Sequence, residues 1–216
     1  VTIKDCYVDT DVIAVLNVSG TAESYQIGAG GFVGMSYDAK MNATDCIFAG
    51  TLDAKKHYGS ECTEPTVSYW RQNAMLGFNN RAMSDTKYDS TKNAVLTDCY
   101  YTADITVNTQ NPRGTDGTAK TVNELALSDL SDLGLDETLW VHNGFTPILK
   151  VGGQKEYVSG DATADGITDI VDLIRLKKHL ADSSVSAALK SVDLDGSKTV
   201  DTNDVISLRK LILGIS

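Results

Sequence analysis

Two twelve-residue segments, 161–172 and 193–204, start 32 residues apart and carry oxygen-bearing side chains at the same positions, 1, 3, 5, 9 and 12. In a loop of this spacing, alternate side chains and the position-7 carbonyl converge on one point while a carboxylate at position 12 closes the shell, which is how a loop wraps calcium. The predicted ligands of the first loop are Asp161, Thr163, Asp165, the carbonyl of Ile167, Asp169 and Asp172. Those of the second are Asp193, Asp195, Ser197, the carbonyl of Thr199, Asp201 and Asp204. Four carboxylates held together would repel strongly without a cation, so loop folding and uptake of two calcium ions are expected to be one event. An oxygen-only set selects hard cations, and the number of ligands favours calcium over octahedral magnesium. The simpler alternative is a pair of Asp-rich turns that cap helices. Duplication in matching register weighs against it.

Two departures from the EF-hand pattern stand out. Position 12 is Asp instead of Glu, and position 6 of the second loop is Lys198 where the first has Gly166. The sharp turn at Lys198 is strained unless Gly196 relieves it, and the second site is expected to be the weaker. After each loop the apolar spacing is helical: Leu173, Leu176 and Leu180, matched by Val205, Leu208 and Ile212, are the expected shared core of two helices. Before Asp161 stand Pro147, Gly152, Gly153 and Gly160. No helix precedes the loop, so the segment is not a sensor that opens by swinging two helices apart. About 58 residues with so small a core are marginal alone, and two ions would act as a staple.

A duplicated calcium loop, each copy followed by one helix, resembles the dockerin, the module that plugs proteins into the cohesins of cellulosomal scaffoldins. The resemblance covers residues 158–216 and implies a small all-α fold with two EF-hand-like loops. It also implies a cohesin-binding face at loop positions 10 and 11 and one to two turns beyond. On this sequence those positions are Ile170, Val171, Ile174, Lys177 and Lys178 in the first repeat, and Thr202, Asn203, Ile206, Arg209 and Lys210 in the second. An Ile-Val pair set against a Thr-Asn pair predicts one preferred docking orientation, centred on the first helix. The competing use of Ile170 and Val171 is packing against the preceding module. Basic residues at the rim would steer association toward an acidic cohesin surface.

Residues 1–157 read as a β-rich accessory module. Lys4-Asp5-Cys6-Tyr7-Val8, Thr44-Asp45-Cys46-Ile47-Phe48 and Thr97-Asp98-Cys99-Tyr100-Tyr101 share an Asp-Cys signature, and Gly30-Gly31-Phe32-Val33-Gly34 is echoed by Ala74-Met75-Leu76-Gly77. The units measure 40 and 53 residues, so insertions belong in the second. This is similar to the GLUG-type repeats of secreted bacterial surface proteins, which implies a β-solenoid, with 140–149 as a closing segment. A β-sandwich of the kind called an X module beside some dockerins is the alternative. Thr121 with Glu124 three residues later predicts a capped helix within 121–133. Equivalent positions for Cys6, Cys46 and Cys99 favour stacked, reduced thiols with Cys62 on an insertion, against a secreted disulfide.

Catalysis finds little support. His57, His142 and His179 are isolated, no zinc spacing surrounds the cysteines, and Asp5, Asp45 and Asp98 suit turns better than acid–base chemistry. Tyr69 and Trp70 could stack on a sugar or fill a core. A net charge of −10 disfavours phosphate-backbone binding, and no run nears the roughly 18 apolar residues of a membrane span. The chain opens at Val1 without a leader, as a processed product or a fragment would. The expected function is non-enzymatic: calcium-dependent anchoring of an extracellular protein to a cohesin, with the first module as spacer. The alternative is a carbohydrate-binding or adhesion protein tethered through its dockerin, with a plant polysaccharide as partner.

Overall fold

The computed structural model describes residues 1–18, 25–34, 36, 40–58, 68–77, 94–105, 107, 116–151 and 154–215. The chain divides into two compact units, Val1–Lys120 and Thr121–Ser216.

The first unit is mostly parallel β-structure. Strands β1 (Thr2–Val8), β2 (Asp11–Val18) and β3 (Tyr25–Gly30) are followed in the same order by β4 (Met41–Phe48), β5 (Thr51–Tyr58) and β6 (Ser68–Asn73), then β7 (Ala94–Thr102) and β8 (Thr118–Lys120). The sheet β1-β4-β7-β8 is parallel, as are the pairs β2-β5 and β3-β6. Thr2 pairs with Asn42 and Asp11 with Thr51, an offset of 40; Tyr25 pairs with Ser68, an offset of 43; and Met41 pairs with Ala94, an offset of 53. Each repeat therefore lies on the one before it. The added residues of the second enter partly between β5 and β6 and mostly after β6.

The Asp-Cys signature has a backbone reason. Asp5, Asp45 and Asp98 take left-handed φ values of 51°, 55° and 48°, a conformation that Asp tolerates better than most residues. The parallel ladder skips these aspartates and resumes at Cys6↔Cys46↔Cys99. Each thiol then donates to the carbonyl two residues back, Lys4, Thr44 and Thr97, at 3.2, 3.2 and 3.3 Å. The three cysteines are free, Cys46 and Cys99 are buried, and Cys6 is partly so. Burial pushes the Cys6 thiol up, and the hydrogen bond with Cys99 pushes Cys46 up more strongly. Cys62 lies outside the described residues. Around the thiols, Met41, Ala43, Phe48, Leu52, Met75, Leu76 and Tyr101 complete the core.

The glycine echo marks stacked turns. Gly31 N–H donates to Ala74 O and Gly77 N–H to Val33 O, both at 2.9 Å. A Cβ on Gly77 would overlap the Ala29 carbonyl, so the backbones approach too closely there for any side chain.

The second unit begins with α1 (Val122–Leu127), capped as the sequence predicts: Glu124 N–H donates to Thr121 Oγ1 at 3.1 Å, and Thr121 N–H to Glu124 Oε2 at 2.6 Å. A 3-10 turn (Ser131–Leu133) and an antiparallel hairpin of β9 (Trp140–His142) and β10 (Pro147–Leu149) follow. Then come α2 (Ile170–Ala181), α3 (Leu189–Val192) and α4 (Thr202–Leu213). Leu173, Leu176 and Leu208 are buried with Ala162 and Val192, and Val205 and Ile212 pack against them. Leu180 departs from the expected core: it is 37% exposed at the last turn of α2. Among the described residues no helix is long and apolar enough to cross a membrane.

The boundary expected at 157/158 falls inside this second unit. Ala126 and Leu127 share a cluster with Ala187 and Leu189, Lys190 N–H donates to Gly144 O at 3.0 Å, and the Lys190 ammonium lies 2.7 Å from Asp129. These ties join distant segments, which local composition does not report.

Burial also pushes the His142 imidazole down to about 4, while an unfolded histidine titrates near about 6.5. Below that value the unfolded chain takes up a proton that the fold refuses. The stability present above pH 6.5 is therefore lost as the pH falls toward 4, by up to about 3 kcal/mol. In saturating calcium the thermal midpoint of the second unit should fall across this window, and His142→Gln should flatten the slope. An equal slope in the variant would assign the effect to other groups.

Candidate functional site

The two acidic loops share one backbone. Positions 4 and 6 are left-handed in both: Ala164 and Gly166 at φ 59° and 90°, Gly196 and Lys198 at 70° and 60°. Each loop thus has one glycine where the conformation is free and one residue where it costs about 1 to 2 kcal/mol. The strain foreseen at Lys198 is real, but Ala164 carries its counterpart, so it does not by itself weaken the second loop relative to the first. In both loops the position-6 amide donates to the position-1 carboxylate, Gly166 N–H to Asp161 Oδ2 at 2.7 Å and Lys198 N–H to Asp193 Oδ2 at 3.1 Å.

Position 12 serves two ends. Asp169 and Asp201 cap α2 and α4 by accepting the amides of Val171 and Asn203. The position-12 carboxylates return the bond: Asp172 Oδ2 accepts Asp169 N–H at 2.8 Å and Asp204 Oδ2 accepts Asp201 N–H at 2.9 Å. Their other oxygens turn back into the loops. Asp172 Oδ1 accepts Thr163 N–H at 3.0 Å, and Asp204 Oδ1 accepts Leu194 N–H at 2.8 Å. Helix capping and ion ligation are therefore compatible uses of the same aspartates. Asp172 and Asp204 reach their caps while fully buried.

Convergence differs between the loops. Asp193, Asp195 and Asp204 each bring a carboxylate oxygen within 4.8 Å of the others, the one such acidic triad among the described residues. Asp193 Oδ1 is sealed from solvent without a hydrogen-bond partner. Burial, with repulsion from Asp204 and Asp195, pushes the Asp193 carboxyl above its usual range against the pull of the Lys198 amide. Hydrogen bonds from Ser197 hold Asp195 below it. An orphaned buried oxygen in an oxygen-only triad is an environment that a hard cation satisfies. Ser197 Oγ lies 3.0 Å from Thr199 O, the position-7 carbonyl. In the first loop Thr163 Oγ1 sits between the buried Asp161 and Asp172, 3.2 and 3.0 Å from their Oδ1 atoms. Asp165 Oδ1 accepts Ile167 N–H at 2.9 Å.

Beyond the loops, α2 leaves Ile170, Val171 and Ile174 exposed by 56%, 50% and 47%, with Lys177 and Lys178 exposed beside them. On α4, Ile206 is 56% exposed, and Thr202, Asn203, Arg209 and Lys210 are also at the surface. His179 on α2 is half-buried with Nδ1 2.7 Å from Val185 O. The side chains of His57, Tyr69 and Trp70 lie outside the described residues.

The sequence reading missed Asp132, whose carboxylate meets the Lys198 ammonium at 2.6 Å across 66 residues of chain. No local pattern points to it. A cleft of about 510 Å³ between the 3-10 turn and β9 is lined by Trp140, His142, Lys150 and Lys190. Lys190 is engaged by Asp129 there, and Trp140 Nε1 and His142 Nε2 are closed to solvent. Compared with known proteins, the chain matches no family model, and no curated protein or solved structure matches it significantly.

Proposed function

We propose that the second unit carries a dockerin that binds two calcium ions and docks onto a scaffoldin cohesin, anchoring a secreted parent protein in a cellulosome. The observation that carries this reading is the pairing of acidic loops with an apolar surface on the helices they open. Asp193, Asp195 and Asp204 converge at the start of α4, and Ile170, Val171 and Ile174 stand exposed at the start of α2. Asp193, Asp195, Ser197, the Thr199 carbonyl, Asp201 and Asp204 would hold one ion, and Asp161, Thr163, Asp165, the Ile167 carbonyl, Asp169 and Asp172 the other. Bound calcium would offset carboxylate repulsion and fix the loops. The chain's own residues present the docking face: an apolar centre rimmed by Lys177, Lys178, Arg209 and Lys210, the arrangement of an interface core and rim.

The first unit is read as a β-solenoid of the GLUG type that serves as a spacer. Parallel pairing of each strand with its successor one repeat later supports this over a sandwich, whose sheets are antiparallel. Binding rather than catalysis is the proposed role of the whole chain.

Calorimetry with a panel of cohesins tests the reading. At least one should bind in excess calcium with nanomolar affinity and fail to bind in chelator. Absence of heat with every cohesin in excess calcium would overturn it.

A further inference from the structure

The second loop carries a cation of its own. Lys198, at position 6, lies between Ser197 and Thr199 of the proposed ligand shell, and its amide is bonded to Asp193. A flexible ammonium so close to Asp193, Asp195 and Asp204 has an obvious resting place: among those carboxylates, where it would neutralise charge that a divalent ion needs. It does not rest there. Its Nζ is held 2.6 Å from Asp132 Oδ2, on the 3-10 turn.

Asp132 is itself held in place. Its Oδ2 accepts Asp129 N–H at 3.1 Å, its own amide donates to Asp129 O at 3.1 Å, and Asp129 takes the largely buried Lys190 ammonium at 2.7 Å. An isolated exposed ion pair contributes little, but a carboxylate oriented by backbone and set in a charge network holds its partner more firmly.

We infer that Asp132 is a positioning residue for the second calcium site, drawing the Lys198 ammonium away from the Asp193, Asp195 and Asp204 cluster so that the loop keeps its full negative charge. Through this tie the segment before the loops tunes the affinity of the second loop and not of the first, where position 6 is Gly166 with no charge to restrain. The inference rests on the calcium reading above and deepens it.

The test is a chelator-buffered calcium titration of the full chain at low ionic strength, followed by NMR at the amides of Gly166 and Gly196, which report the two loops separately. Asp132→Asn should weaken the site seen at Gly196 by about three- to tenfold, because the released ammonium competes with the ion. Gly166 should titrate unchanged. In a Lys198→Gly background the same substitution should change the Gly196 site by less than about twofold, since no ammonium remains to release. An unchanged Gly196 titration in Asp132→Asn, or an equal weakening in the Lys198→Gly background, overturns the inference while leaving calcium binding intact. Absence of calcium-dependent shifts at both glycines in the unaltered chain overturns the calcium reading and the inference with it.

Discussion

Charge placed on the apolar pair that opens α2 should abolish docking. Ile170→Asp with Val171→Asp is expected to raise the dissociation constant for the cognate cohesin at least a thousandfold, about 4 kcal/mol or more. Both side chains are half or more exposed in the free protein, so the substitutions remove no core packing, and two carboxylates at the start of a helix suit its dipole. Calcium binding and circular dichroism should therefore stay as they are. The loss would arise in the complex alone, where two anions are buried without partners. The matching change on α4, Thr202→Asp with Asn203→Asp, should weaken binding by less than about fivefold, because those side chains are polar and present no apolar anchor. Calorimetry on both variants decides the orientation. Retained binding in the first and loss in the second would move the contact to α4.

Removing calcium should destabilise the second unit by a comparable amount. An ion present at about a thousand times its dissociation constant stabilises a fold by about 4 kcal/mol, and a domain of this size shifts its midpoint by roughly 4 to 8 °C per kcal/mol. Scanning calorimetry should therefore show the second unit melting about 15 °C lower or more in chelator, with the first unit unmoved. Asp204→Asn should lose much of that calcium-dependent gain. Asp204 is fully buried and accepts the amides of Leu194 and Asp201 at once; an amide side chain can retain one of these bonds but removes the charge. Equal midpoints with and without calcium in the unaltered chain would leave the buried aspartates as helix caps alone.

Much of this was legible in residue order because it depends on neighbours a few positions apart. The loop spacing marks the acidic positions, of which Asp193, Asp195 and Asp204 converge, and Thr121 with Glu124 gives α1 its start. The exposed stripe of Ile170 and Ile174 follows from helical spacing against the Leu173 and Leu176 core. The repeated Asp-Cys step likewise predicts equivalent levels of a stack, though the sequence suggested turns where the aspartates make left-handed steps inside strands β1, β4 and β7.

Tertiary structure decided the rest. Lys198 in place of a glycine suggested strain particular to the second loop, but Ala164 carries the same left-handed strain in the first, and it is packing that gathers Asp193, Asp195 and Asp204 closely. Leu180 fits the helical pattern but lies beyond the reach of the core. Above all, residues 121–157 belong with the loops they precede, through Asp129, Asp132, Lys190 and Lys198. Short-range geometry fixes which atoms a segment can offer, because bond lengths and backbone angles act over a few residues. Which of those atoms meet depends on how remote segments pack, and a pair such as Asp132 and Lys198, 66 residues apart, leaves no mark on the chain near either one.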